Sequence, residues 1–126
     1  MLAQQSEAAG TDPATACESA VRSVHAAFAE PGALERTVHH RIGDILGSQL
    51  LVLLIGDTVV HSWDLATAIG VDPGLDEQLV EFVYGNYAPL TQRGAPYANG
   101  WFAAPTTPLP ETATPLQRLL HLTGRD

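Results

Sequence analysis

Two carboxylates and one imidazole lie close together in the most apolar stretch of this sequence: Asp57, His61 and Asp64. In an α-helix, side chains four residues apart stack one turn above another, so Asp57 and His61 project side by side. A carboxylate oxygen and an imidazole nitrogen at that spacing are the two donors a helix can offer to one cation. The pair suits zinc, nickel or iron. Asp64, three residues further on, can orient the imidazole from behind. The same spacing also serves a structural Asp–His hydrogen bond within a helix, and both readings stand at this point. Two donors are fewer than the three or four a zinc site takes.

The helix that must hold these groups is predicted over residues 49–69. Ser48 caps it, Gly70 stops it, and Asp72-Pro73-Gly74 follows as a turn. On a wheel of about 100° per residue, Leu50, Leu54, Asp57, His61, Asp64 and Ala68 fall in one narrow sector. Leu53, Val60 and Leu65 flank it. This stripe is predicted to face the core, with Trp63 far from it, packed on a hairpin or on the last segments. Buried charge without a partner costs several kcal/mol, so the stripe's polar groups are expected to pair, bind a cation or neutralise.

The other elements follow from local signals. Residues 1–11 are small and polar and are expected to be disordered. Asp12-Pro13 reads as a cap and first helical position for a helix over residues 13–30, with Ala16, Ala20, Val24, Ala27 and Phe28 at helical spacing. Pro31-Gly32 ends it. Residues 36–42 are rich in β-branched side chains, and Gly43-Asp44 is a turn signal before Ile45-Leu46, which together predict a small β-hairpin. A helix over residues 76–87 carries Leu79, Phe82, Val83 and Tyr87 on one face, and Pro89 closes it. Residues 91–114 read as a long proline-rich loop, pinned by aromatics such as Tyr97, Trp101 and Phe102. Pro115 starts a last helix over residues 116–122, stopped by Gly124. The fold class is mainly α, with a short β-hairpin and a long Pro-rich C-terminal loop, in one domain over residues 1–126.

Composition limits the partners. The chain has 126 residues, 45% of them apolar, and a formal charge of −8. That balance argues against a nucleic-acid partner and against an anionic membrane surface. All six basic side chains are arginine. Cys17 is the only cysteine, which suits a reducing compartment. The longest unbroken apolar run, residues 50–55, is too short to span a bilayer, and the first residues do not read as a secretory signal. A cytoplasmic protein is expected.

Beyond these patterns, residues 57–70, Asp57-Thr58-Val59-Val60-His61-Ser62-Trp63-Asp64-Leu65-Ala66-Thr67-Ala68-Ile69-Gly70, resemble the signature helix of the mycothiol-dependent maleylpyruvate isomerase-like proteins. These are DinB-like metal-binding helical bundles, common in actinobacteria. The stretch Pro31-Gly32-Ala33-Leu34-Glu35-Arg36-Thr37-Val38, Gly43-Asp44-Ile45 and the ending Leu119-Leu120-His121-Leu122-Thr123-Gly124-Arg125-Asp126 are similar to the same group. The likeness covers about residues 12 to 126.

The resemblance implies a four-helix bundle that holds one divalent metal, zinc or nickel, with Asp57 and His61 as two ligands. A third ligand in the family, a histidine, comes from a helix upstream of the one matching residues 13–30. The chain is thus expected to correspond to the C-terminal part of the family domain, an incomplete bundle. The implied chemistry is thiol activation by the metal, with mycothiol as the thiol and a small electrophile as its partner, in an isomerisation or an S-transfer.

Other candidates for chemistry are weaker. His25 on the first helix, His39 or His40 on the hairpin and His121 near the chain end are each expected to be structural or exposed. Cys17 is expected to be a small core residue. Tyr84, Tyr87, Tyr97, Trp101 and Phe102 either line a pocket or anchor the long loop. Three helices and a hairpin leave the helix over residues 49–69 poorly covered, so a homodimer burying part of its stripe is expected. Two function classes remain open: a metal-dependent, thiol-using enzyme, and a truncated non-catalytic helical module acting through self-association or protein contacts.

Overall fold

The computed structural model describes residues 12–125 of the chain. The segment expected to be disordered, residues 1–11, lies outside the described residues. The chain is mainly helical with one two-stranded antiparallel hairpin, as the patterning predicts. In chain order the elements are α1 (Pro13–Ala29), β1 (Thr37–His40), β2 (Gly43–Leu46), α2 (Gly47–Ile69), α3 (Glu77–Gln92), α4 (Ala95–Ala98) and α5 (Pro115–Leu122). They form two compact units, Met1–Leu51 and Val52–Asp126.

In the first unit, α1 starts as its sequence dictates. The Asp12 carboxylate accepts from the Thr15 backbone N–H at 3.3 Å and from the Thr15 hydroxyl at 2.6 Å, and Pro13 occupies the first turn. No residue of α1 is buried. Cys17, expected in the core, is exposed, on a helix that buries none of its residues.

The hairpin forms, but its turn sits earlier than predicted. Thr37 pairs with Leu46 and His40 with Gly43, so Arg41 and Ile42 make the turn and Gly43-Asp44 begins β2. Arg41 and Ile42 both keep negative φ. The left-handed conformation falls instead on Gly43, at φ +116°, where only glycine is unstrained.

Helix α2 starts at Gly47, not at Gln49, and Ser48 is not its cap. The Gln49 side chain reaches back to accept from the Leu46 backbone N–H at 2.8 Å. The Gly47 and Ser48 N–H groups donate to the carbonyls of Arg36 and Leu34. Gly47 approaches Ala33 so closely that a Cβ there would overlap the Ala33 carbonyl oxygen.

The core lies in the second unit. Val59 and Val60 of α2 pack with Val80, Val83 and Tyr87 of α3 and with Leu119 and Leu122 of α5. The Asp76 carboxylate caps α3 by accepting from the Leu79 N–H at 3.0 Å. Thr114 and Gln117 form a reciprocal capping box at the start of α5.

The sequence pattern closes α3 at Pro89, yet the helix runs on to Gln92. A proline inside a helix typically costs about 3 kcal/mol. Here buried Tyr87 and Thr91 flank it, and their packing carries the helix past the break. The predicted loop over residues 91–114 also contains a turn of helix, α4. Pro96 is buried there, and its carbonyl accepts from the N–H groups of Trp101 and Phe102.

Helix α2 is long and apolar enough to cross a membrane by length and composition alone, a property it shares with core helices of soluble proteins.

Candidate functional site

The face of α2 that packs inward is not the predicted one. Gly56, Val59, Val60 and Ala66 are buried, and Leu53, Ile55 and Trp63 are half-buried. Leu54, Asp57, His61, Leu65 and Ala68, expected to point at the core, are exposed. On the wheel the buried residues centre on the side away from the stripe, while Val60 and Leu53, placed on its flank, do turn inward as predicted. The physical reason is shape. Gly56 lets the Tyr87 ring lie directly against the α2 backbone, and a Cβ at residue 56 would overlap the Tyr87 hydroxyl and Cζ. The Tyr87 hydroxyl donates to the Leu53 carbonyl at 3.1 Å. Its ring meets Phe102 at a centroid distance of 5.9 Å, tilted by 32°. Burial, and then the nearby negative charge of Asp57, push the Tyr87 phenol up to about 12.

The three polar groups of α2 do come together. The His61 Nε2 is 3.4 Å from Asp57 Oδ1, and its Nδ1 is 3.0 Å from Asp64 Oδ2. The Nδ1 contact has hydrogen-bond geometry. Asp57 and His61 are about two-thirds exposed, whereas the Asp64 side chain is 35% exposed.

Asp64 is held from its other side. Arg125 Nε donates to Asp64 Oδ1 at 2.6 Å, and its Nη2 donates to Asp64 Oδ2 at 2.7 Å, a two-pronged charge-assisted pair. The Arg125 hydrogen bonds, and then the one from His61, hold the Asp64 carboxyl down at about 2 against the opposing effect of burial. The pairing with Asp64 raises the Arg125 guanidinium, partly offset by burial.

Among the described residues, no three His, Cys, Asp or Glu side chains converge to hold a metal ion. Asp57 and His61 stand as two neighbouring polar groups on the open side of α2.

The other histidines are elsewhere. His25 is exposed on α1. His39 and His40 point to opposite faces of β1, with His39 Nδ1 2.6 Å from Asp44 Oδ1 and His40 half-buried. The His121 Nε2–H donates to the Thr107 carbonyl at 2.6 Å, so this ring ties α5 to the segment before it. The aromatics act as anchors: the Tyr97 hydroxyl donates to the Leu122 carbonyl at 2.9 Å, and Phe102 lies on Tyr87.

Arg125 is the residue that sequence reasoning missed. It stands in the ending that is similar to the family, directly after Gly124, the glycine that stops α5. Nothing in the order of residues shows that it meets an aspartate 61 positions earlier.

No family model matches the chain, and no solved structure matches it. Two uncharacterized proteins, from two strains of Mycobacterium tuberculosis (CDC 1551 and H37Rv), are each 34% identical to it over 62 residues. The match covers 49% of this chain and 34% of each relative, so the chain spans about a third of the length of the curated relatives it matches.

Proposed function

We propose that the chain is a divalent-metal-binding helical protein of the DinB-like, mycothiol-dependent maleylpyruvate isomerase-like kind, in which Asp57 and His61 supply two ligands. One observation carries this reading, the setting of His61. The Nδ1 contact with Asp64 at 3.0 Å leaves Nε2 on the open side of the ring, 3.4 Å from the Asp57 carboxylate. That arrangement suits zinc or nickel, with a carboxylate behind the imidazole fixing its orientation.

When bound, such an ion lowers the pKa of a coordinated thiol or water and polarises an electrophile. By the resemblance, the thiol is mycothiol, and the activity is an isomerisation or S-transfer. Asp57 and His61 bind, and Asp64 orients. The remaining ligands come from the thiol, from water or from a second copy of the chain in a homodimer. The acidic charge and the lone cysteine favour a cytoplasmic protein that avoids nucleic acid and membrane.

Dialysis against zinc or nickel, followed by elemental analysis, tests the reading. Stoichiometric metal is expected in the wild type and is expected to be lost in both Asp57→Ala and His61→Ala. Metal-free protein indifferent to chelator, or metal that survives both substitutions, refutes it. That result would favour the second reading, a non-catalytic helical module acting through self-association. The exposed apolar residues Leu54, Leu65 and Ile69 of α2 support this alternative.

A further inference from the structure

We infer that Arg125 is a positioning residue for His61, acting through Asp64 to hold the imidazole as the Nδ1–H tautomer with Nε2 free to bind. The consequence for metal affinity rests on the proposed reading of Asp57 and His61 as ligands; the positioning itself does not.

The chain end is built to deliver this guanidinium. Helix α5 closes with a Schellman turn: the Gly124 N–H donates to the His121 carbonyl, and the Arg125 N–H donates to the Leu120 carbonyl at 2.8 Å. Gly124 adopts φ +76°, and a Cβ there would lie 2.5 Å from the Ala103 carbonyl oxygen, so glycine is required on two counts. Buried Thr123 anchors the turn, its hydroxyl donating to the Leu119 carbonyl at 2.9 Å. Arg125 Nη1 then donates to the Thr123 carbonyl at 2.9 Å, which fixes the plane of the fork. Nε and Nη2 are left for Asp64.

Asp64 is therefore not a freely rotating surface carboxylate. Its Oδ2 accepts one hydrogen bond from Arg125 Nη2 and is also the oxygen that faces His61 Nδ1. The opposite ring nitrogen lies 3.4 Å from Asp57 Oδ1, a longer contact. Of the two carboxylates beside the ring, Asp64 makes the shorter contact, a hydrogen bond at 3.0 Å, and that contact decides which nitrogen carries the proton.

The test is ring ¹H–¹⁵N correlation on uniformly labelled, metal-free protein, at a pH about two units above the ordinary imidazole value. The His61 signals are assigned by their loss in His61→Gln. The wild type is expected to show the Nδ1–H tautomer. Arg125→Gln and Asp64→Asn are expected to move it toward Nε2–H, and Arg125→Lys, which keeps the charge but not the fork, to fall between. Zinc affinity by titration calorimetry is expected to drop about tenfold or more in Arg125→Gln.

An Nε2–H tautomer in the wild type overturns the proposal, and that measurement needs no variant to fold. So does a tautomer unchanged in both Arg125→Gln and Asp64→Asn. If the tautomer shifts as expected but the wild type binds no zinc, the positioning stands and the metal reading fails. If zinc binds through Asp57 and His61 while Arg125→Gln changes neither tautomer nor affinity, the positioning alone fails.

Discussion

Gly56→Ala sets two effects of opposite sign against each other. In a helix interior, alanine for glycine stabilises by about 1 kcal/mol when nothing else changes. At residue 56 a Cβ would overlap the Tyr87 hydroxyl and Cζ and lie 2.6 Å from Cε1. Tyr87 has little room to yield. It is 6% exposed, its ring rests against Phe102, and its hydroxyl is bonded to the Leu53 carbonyl. Overpacking of this kind costs about 1–3 kcal/mol, and a lost part-buried hydrogen bond adds about 1 kcal/mol. After the propensity gain is subtracted, a net loss of about 1–3 kcal/mol is expected. Gly85 on α3 supplies the control, since a Cβ there meets nothing within 4 Å. Gly85→Ala is expected to stabilise by up to about 1 kcal/mol. Urea denaturation followed by far-UV circular dichroism reads both differences, provided the slope is unchanged. A Gly56→Ala protein as stable as the wild type would refute the packing of Tyr87 against α2.

Other substitutions probe the core and the charged pair. Leu119→Ala removes a side chain of 0% exposure from the centre of the second unit, and a loss of about 2–5 kcal/mol is expected in the same urea experiment. Asp64→Asn tests the pairing with Arg125 through pH. A carboxyl held at about 2 instead of 3.8 corresponds to about 2 kcal/mol, which solvent screening of a side chain 35% exposed reduces to about 1 kcal/mol. Because the folded pKa lies below the unfolded one, this contribution is complete above pH 4 and fades as pH falls toward 2. The stability gap between wild type and Asp64→Asn should therefore close over that range; a gap that stays constant down to pH 2 would show that Asp64 is not paired.

Much of the local structure is legible in the residues themselves. Asp12-Pro13, Asp76 and Thr114 stand where three helices begin, because short polar side chains satisfy the first backbone N–H groups from there. The grouping of Asp57, His61 and Asp64 also follows from spacing, since residues three and four apart on a helix are neighbours wherever the helix lies. Which way that helix turns is a different matter. Residues 47–69 are apolar around most of the circumference, so periodicity distinguishes its faces weakly. The choice was made by a partner: Gly56 leaves a recess in α2 that fits the Tyr87 ring of α3, and Val59 and Val60 follow it inward. Asp57 and His61 are carried outward as a result. The link from Asp64 to Arg125 belongs to the same class. Each end is set by its own helix, but their meeting depends on how α2 and α5 pack around one core, and no local propensity encodes a contact across 61 residues.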